Sequence, residues 1–289
     1  MPGDPSNGPP AAAAGELTLG EDLTVRRMGY GAMRLTGDGV WGDPPDIEAA
    51  KGVLRRAVEL GVNLIDTADS YGPEVSERLI GEARAPYPDD LVVATKGGLT
   101  RGGPSDWRAD CRPEHLKEAC EGSLRRLRTD RIDVYQLHTV DPEVPLAESV
   151  GAIAELQAEG KVRHVGLSNV SADQLEEARG IVPIVSVQNR YSLSDRGQED
   201  ALEACEREGI PFLPWFPLAS GGAARGGGEL DRVAREHGAT AVQVALAWLL
   251  ARSPVMLPIP GTSSAEHLEE NVAAAAIQLS EEDLEALGA

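Results

Sequence analysis

The chain has 289 residues, close to the roughly 250 residues of one (β/α)8 barrel before insertions. Its 42% hydrophobic and 26% charged residues are near globular averages, which excludes a largely disordered or fibrous protein. The 27 basic and 47 acidic residues give a formal net charge of −20, which opposes binding to nucleic acid or to an acidic membrane surface.

The N-terminal segment, MPGDPSNGPPAAAA, has no basic region, and its apolar run is only four alanines. It resembles neither a signal peptide nor a transit peptide, so we predict a disordered tail over 1–14 and one barrel domain over 15–289. The longest strongly apolar run, 244–251, is far shorter than the ~20 residues that cross a bilayer. A cytoplasmic protein with reduced thiols is also indicated by three cysteines without paired spacing, Cys111, Cys120 and Cys205.

Alternation around Gly20-Glu21-Asp22 predicts a small hairpin before the main fold. Apolar strands and amphipathic helices then alternate to the end of the chain, a pattern typical of parallel strands joined by crossover helices. The predicted strands are 62–65, 91–94, 132–137, 162–167, 184–187, 210–213 and 255–259. The predicted helices are 47–60, 75–83, 113–127, 146–158, 172–179, 199–208, 241–251 and 265–275.

Polar or aromatic residues follow one predicted strand after another at its C-terminal edge. In a closed barrel these edges meet at one mouth, where the active sites of such barrels lie, whereas an open sheet would spread them in a row. A dinucleotide fingerprint is incomplete, because Gly29 and Gly31 are not followed by the third glycine. The sequence therefore predicts an α/β fold, a (β/α)8 TIM barrel with an N-terminal β-hairpin at its bottom. The residues at the strand ends are Asp66, Lys96, His138, Ser168, Asn169, Gln188 and Trp215.

Three of these residues, with Tyr71, fit a proton-transfer site. Taken singly, Asp66 could cap a turn, Tyr71 could be a loop aromatic and His138 could be a core histidine. A carbonyl that receives hydride develops negative charge on its oxygen, and therefore needs a hydrogen-bond donor and then a proton. Tyr71 can supply the proton if a cation such as Lys96 lowers its pKa from about 10. Asp66 would hold Lys96 charged, and His138 would orient the carbonyl.

Several motifs occur in a fixed order, namely NLIDTADSYG, VSERLIGEA, VVATKGG, DVYQLH, GKVRHVGLSN, VSVQNRYS and MLPIPGTSS. With them, the chain from about Arg27 to the C-terminus resembles the aldo-keto reductase family. The resemblance implies an NADP-dependent oxidoreductase that reduces an aldehyde or ketone with NADPH, with NAD as a possible second cofactor and no metal. It also implies that Asp66, Tyr71, Lys96 and His138 form the catalytic tetrad.

The resemblance also implies the cofactor site. Ser168, Asn169 and Gln188 would hold the nicotinamide carboxamide, and Trp215 would stack on the ring. Pro217 and Leu218 begin a glycine-rich stretch that would cover the pyrophosphate or would be a disordered linker. Many relatives carry a lysine or arginine where this chain has Gly261 and His267, which predicts a reduced preference for NADPH over NADH. The other residues expected around the adenosine 2′-phosphate are Thr262, Ser263, Glu270 and Asn271.

Two loops, 34–45 and 99–112, carry Trp41 and Trp107 and are expected to shape the substrate pocket, although both tryptophans could simply pack their loops. GYGAMRLTGDGVWG, PWFPLASG and LPIPGTSS most resemble the pyridoxal reductase branch, so pyridoxal is a candidate beside other small carbonyl compounds. A monomer or small homo-oligomer is expected. One alternative is a regulatory, redox-sensing barrel that binds nicotinamide with little turnover. Another, a metal-dependent hydrolase, is disfavoured because the five histidines are scattered.

Overall fold

The computed structural model describes residues 8–216 and 228–288 of the chain. They begin with a 3-10 helix over Pro10–Ala14, so the prediction of a disordered tail is wrong for these residues. A proline at the first position favours the helical turn, and the small alanines pack closely, with Ala11 fully buried. The Ala11 N–H donates to the Leu60 carbonyl at 3.0 Å, which ties this segment to the barrel wall.

The strands are β1 (Glu16–Leu19), β2 (Leu23–Arg26), β3 (Tyr30–Gly31), β4 (Leu64–Asp66), β5 (Val92–Gly97), β6 (Leu99–Gly103), β7 (Asp106–Ala109), β8 (Ile132–Leu137), β9 (Val162–Ser168), β10 (Ile184–Arg190) and β11 (Phe212–Trp215). Seven of them form one parallel sheet in the order β3-β4-β5-β8-β9-β10-β11. Two antiparallel hairpins, β1–β2 and β6–β7, stand outside this sheet. The second hairpin occupies the predicted loop 99–112.

Residues 255–260 close the sheet between its two edge strands. The Leu257 N–H donates to the Phe212 carbonyl, and the Gly29 N–H donates to the Pro258 carbonyl, both at 2.9 Å. Pro258 has no N–H to donate, so the hydrogen-bond ladder is interrupted and no regular strand forms where 255–259 was predicted. The segment nevertheless occupies the position of the eighth strand, which confirms the predicted (β/α)8 barrel.

The helices are α1 (Ile47–Glu59), α2 (Val75–Arg84), α3 (Pro113–Leu127), α4 (Leu146–Ala158), α5 (Ala172–Arg179), α6 (Glu199–Glu208), α7 (Glu229–Glu236), α8 (Ala241–Arg252), α9 (Ala265–Ala273) and α10 (Glu281–Ala286). Capping boxes fix two predicted starts, because Ser171 and Thr240 exchange hydrogen bonds with the residues three positions on, before α5 and α8. The sequence did not predict α7 and α10. Both are short, with eight and six residues, and α7 buries only Val233 and Ala234, so few apolar positions mark it in the sequence.

The barrel interior is filled by apolar side chains from the strands, and the β1–β2 hairpin covers one end of it. The Arg26 N–H donates to Asn63 Oδ1, and Asn63 Nδ2 donates to the Thr24 carbonyl. Asn63 immediately precedes β4, so the hairpin lies at the N-terminal end of the strands, as predicted. The buried interior cluster comprises Leu19, Leu23, Val25, Leu64, Val92, Ala94, Val134, Val185, Leu213, Leu257 and Ile259.

All three cysteines are buried free thiols, as expected from their spacing. Burial raises the pKa of each thiol to about 12, so they remain protonated and unreactive. Within residues 8–216 and 228–288, no helix combines the length and apolar character needed to cross a membrane.

Candidate active site

The C-terminal strand ends bring the four predicted catalytic residues together. Asp66 is the last residue of β4, Lys96 lies near the end of β5, and His138 directly follows β8. Lys96 is fully buried, and its Nζ lies 2.7 Å from Asp66 Oδ2 and 5.2 Å from the centroid of the Tyr71 ring. The Tyr71 and His138 rings meet edge to face with centroids 5.8 Å apart. One mouth of the barrel therefore holds a phenol, an ammonium, a carboxylate and an imidazole as close neighbours.

The buried ammonium of Lys96 is compensated. Burial lowers its pKa, but the negative charge of Asp66 and the neighbouring Tyr71 raise it by more, so the pKa lies above its ordinary value. Nζ also donates to the Thr67 carbonyl at 2.8 Å. On the other side, Asp66 Oδ1 accepts from Nε2 of Gln136 at 3.0 Å and of Gln188 at 2.8 Å. Lys96 is thus a fixed cation beside the tyrosine.

Tyr71 is protonated at neutral pH. Burial raises its pKa, Lys96 opposes that rise, and Asp66 and Asp69 add to it, so the net direction is upward. The expectation of a lowered pKa is therefore wrong for the net value, because only 7% of this residue is exposed and desolvation outweighs the cation. The phenol is in the form that can donate a proton to a carbonyl oxygen.

His138 is neutral. Burial lowers its pKa well below the ordinary value, and the positive charge of Lys96 lowers it further. Its Nδ1 lies 3.3 Å from Ser70 Oγ. A neutral imidazole carries one N–H. When the Ser70 hydroxyl donates a hydrogen bond to Nδ1, this nitrogen is the acceptor and the ring N–H is on Nε2. That N–H is a donor suited to a substrate carbonyl.

The predicted carboxamide site is continuous with His138. Asn169 adopts a left-handed conformation (φ 58°) just after β9, and its Nδ2 donates to the His138 carbonyl at 2.9 Å and to Ser168 Oγ at 3.1 Å. Its Oδ1 accepts from Trp215 Nε1 at 3.0 Å. The amide nitrogen of Gln188 donates to Asp66 and Gln136, and its carbonyl oxygen accepts no hydrogen bond from the described residues, so it can accept one from a ligand. Hydroxyl, amide and carbonyl groups lining one wall fit the donors and acceptors of a carboxamide.

Trp215 ends β11 at the edge of this wall and is partly exposed. The Arg190 guanidinium lies 5.9 Å from the centroid of the Trp215 ring, and Arg190 forms an ion pair with Asp195 at 2.7 Å. The hydrogen bond from Trp215 Nε1 to Asn169 fixes the indole at this edge of the wall. Pro217 and Leu218, predicted to lie near the pyrophosphate, fall outside the described residues.

The start of α9 forms the other predicted end of the cofactor site. Ser264 caps the helix by accepting from the His267 N–H at 3.3 Å, and its own N–H donates to Thr262 Oγ1 at 3.1 Å. Within the described parts of the chain, the N–H groups of Ala265 and Glu266 have no acceptor. Ser263 and His267 are exposed here, and further along α9 Glu270 is exposed and Asn271 is buried. Free N–H groups at a helix start fit an anionic phosphate.

Gly261 has a packing reason for lacking a side chain. A Cβ at this position would lie 2.5 Å from the Gly31 carbonyl oxygen, closer than atoms can approach. A lysine or arginine is therefore excluded at 261 without a backbone shift. The exposed side chain of Arg34 approaches instead, with its Cγ 3.7 Å from the same Cβ position. Sequence analysis missed this cation, because Arg34 and Gly261 are distant in the chain.

Both predicted substrate-binding tryptophans lie at the mouth. The Trp107 ring is edge-on to Tyr71 with centroids 6.4 Å apart, and 38% of the residue is exposed. Trp41 forms a backbone bridge to Gly72, next to Tyr71. The Arg101 guanidinium lies over both indoles, 3.6 Å from the Trp107 centroid and 5.6 Å from that of Trp41.

Besides Arg34, two residues of the site escaped sequence analysis, Gln136 and Arg101. Gln136 stands two positions before His138, and residues two apart on a strand face the same side, so that spacing could have identified it. Arg101 offered no such signal, because its contacts depend on how three loops meet. Among residues 8–216 and 228–288, no cluster of three or more His, Cys, Asp or Glu side chains could hold a metal ion.

Known proteins are similar to this chain over nearly its whole length. A curated relative, an uncharacterized oxidoreductase of Schizosaccharomyces pombe, is 53% identical across 94% of this chain and 88% of its own. Pyridoxine 4-dehydrogenase of Escherichia coli is 47% identical across 94% of this chain and 96% of its own. A crystal structure of an aldo/keto reductase from Klebsiella pneumoniae in complex with NADP and acetate superposes with a TM-score of 0.79 at 31% identity, covering 94% and 93% of the two chains. Residues 27–289 match the Aldo/keto reductase family, and the chain belongs to that family.

Proposed function

We propose that this protein is a cytoplasmic, NADPH-dependent reductase that converts an aldehyde or ketone to an alcohol, with pyridoxal as its substrate. The observation that carries the proposal is the fully buried Lys96, paired with Asp66 at 2.7 Å and lying beside Tyr71 at the barrel mouth. A buried ion pair adds little to stability, whereas a cation fixed beside a phenol serves proton transfer.

When bound, the nicotinamide cofactor supplies a hydride to the carbonyl carbon. Tyr71 donates its phenolic proton to the carbonyl oxygen, on which negative charge develops. Lys96 stabilises the resulting phenolate, and Asp66 keeps Lys96 charged and in place. The neutral imidazole of His138 donates a hydrogen bond that orients the carbonyl. In the reverse direction, the Tyr71 phenolate accepts the proton of the alcohol.

The cofactor would be held along the wall from β9 to α9. Ser168, Asn169 and the free carbonyl oxygen of Gln188 bind the carboxamide, and Trp215 stacks on the nicotinamide ring. The N-terminus of α9 binds the 2′-phosphate, which NAD lacks, so NAD binds more weakly. The remaining cofactor contacts in this proposal are Pro217, Leu218, Gly261, Thr262, Ser263, His267, Glu270 and Asn271.

Pyridoxal is favoured by two facts. The chain is 47% identical to the Escherichia coli pyridoxine 4-dehydrogenase over 94% of its length. The mouth also carries aromatic rings, because the Arg101 guanidinium lies over both Trp41 and Trp107, and Trp107 meets Tyr71 edge to face. A flat aromatic aldehyde matches such walls better than an aliphatic one does.

The test is oxidation of NADPH by purified protein with pyridoxal, together with reduction of NADP by pyridoxine. We expect turnover in both directions. In a separate measurement, size-exclusion chromatography is expected to show a monomer or a small homo-oligomer. Tight NADPH binding without turnover on pyridoxal or on a panel of other aldehydes and ketones would contradict the proposal. That result would favour the alternative of a regulatory barrel.

A further inference from the structure

Arg101 of β6 uses its whole guanidinium to bind backbone carbonyl groups. Nε donates to Asp106 at 3.2 Å, Nη1 donates to Val40 at 2.9 Å and to Ser70 at 3.1 Å, and Nη2 donates to Gly39 at 3.1 Å and to Gly103 at 3.3 Å. A guanidinium has five N–H donors, so each of them has a carbonyl acceptor. Arg101 therefore has no donor left for a ligand.

These carbonyls belong to three separate segments around the mouth. Gly39 and Val40 lie in the loop that carries Trp41, Ser70 directly precedes Tyr71, and the other acceptors belong to the β6–β7 hairpin that carries Trp107. Arg101 thereby joins both tryptophan-bearing segments to the loop of the proton donor.

One of the joined segments is strained. Val40 is β-branched yet has a φ of 57°, a conformation that such residues rarely adopt. Its carbonyl accepts from Arg101 and also from the Gly72 N–H at 3.3 Å. Strained backbone persists where surrounding bonds hold it, so these two bonds keep the Trp41 loop in place.

The same guanidinium faces both indoles, at 3.6 Å from the Trp107 centroid and 5.6 Å from the Trp41 centroid. We infer that Arg101 is a positioning residue that holds Trp41 and Trp107 as two walls of a substrate pocket for flat aromatic aldehydes. The inference rests on the proposed carbonyl reduction and assigns its substrate selectivity to this arginine. Lysine could not replace it, because an ammonium has three donors at one point and no planar fork.

The first test is Arg101→Lys, compared with Arg108→Lys on the neighbouring strand. Arg108 is a matched control because its side chain is 70% exposed and, among the residues that the structure describes, pairs only with Asp106. In Arg101→Lys we expect the KM for pyridoxal to rise about tenfold while kcat falls less than about threefold, since ground-state binding is lost and the proton donor remains. The KM for propanal, a small aliphatic aldehyde, and the Kd for NADPH should change less than about twofold. Arg108→Lys should match the parent in all four constants.

A double-mutant cycle with Trp107→Leu separates positioning from a general loss of structure. If Arg101 acts through Trp107, the two changes are not additive, and the coupling in kcat/KM for pyridoxal should be about threefold or more. Additive effects, or an unchanged KM for pyridoxal in Arg101→Lys, would overturn the inference. If Arg101→Lys does not fold, the single variant Trp107→Leu decides instead. A KM that rises for pyridoxal and not for propanal supports Trp107 as a wall of the substrate pocket. Equal changes in the two KM values overturn the inference. A parent enzyme that reduces neither aldehyde would overturn the proposed function, and this inference with it.

Discussion

Replacement of Lys96 by methionine removes the ammonium while it keeps a side chain of similar length. The cation lies 5.2 Å from the centroid of the Tyr71 ring. With this distance taken as the separation of the ammonium and phenolate charges, and an effective dielectric constant of about 20, their interaction is ~3 kcal/mol, which corresponds to roughly 10²-fold in rate. Lys96→Met should therefore lower the rate of alcohol oxidation at neutral pH by about that factor, because the phenolate that accepts the proton is no longer stabilised.

Lys96→Met should also shift the pH dependence of alcohol oxidation. Burial raises the pKa of Tyr71, and Lys96 opposes that rise, so removal of Lys96 raises the pKa further. Oxidation of pyridoxine requires the phenolate, so its ascending limb should move to higher pH. The assay is the initial rate of NADP reduction by pyridoxine as a function of pH. Lys117→Met is the control, since Lys117 is an exposed lysine paired with Glu155.

Stability has to be measured in parallel, because Lys96→Met leaves the buried carboxylate of Asp66 without its cation. Loss of one partner of a buried pair costs ~3–5 kcal/mol, and the double variant Asp66→Asn with Lys96→Met should recover much of the loss. Folded Lys96→Met enzyme with activity within about threefold of the parent and an unchanged pH profile would refute the assigned role of Lys96.

Three further predictions concern the proton donor and the cofactor site. Tyr71→Phe should lower carbonyl reduction by ~10² or more while the Kd for NADPH stays nearly constant, as measured by kinetics and fluorescence titration, because only the transferable proton is lost. Gly261→Ala should lower the free energy of unfolding by ~1–3 kcal/mol in urea titrations, because its Cβ would lie 2.5 Å from the Gly31 carbonyl oxygen; unchanged stability would contradict the packing argument. NADPH should bind more tightly than NADH, and His267→Arg should widen the difference by adding a cation near the 2′-phosphate; titrations that show tighter NADH binding in the parent would reject this assignment.

Local patterns in the chain were sufficient to identify the barrel and its helices. The bounds of α3, α4, α5 and α6 match the predicted ranges, because amphipathic periodicity acts within a few neighbouring positions. A capping box before α5 and a proline at the first position of α3 are equally local signals. The polar residues that end successive strands, such as Asp66 and His138, also indicated the site, since a closed parallel barrel brings all such ends to one mouth. The motif order around these residues indicated the family.

Properties that depend on distant contacts required the tertiary structure. Whether the pKa of Tyr71 is raised or lowered depends on the balance between the burial of its ring and the proximity of Lys96. Neither quantity can be derived from spacing along the chain. The close approach of Gly31, 230 residues earlier in the sequence, leaves no room for a side chain at position 261. Arg101 acquires its five carbonyl acceptors only when three loops meet at the mouth, because each backbone carbonyl is present in any sequence and only folding determines which ones converge.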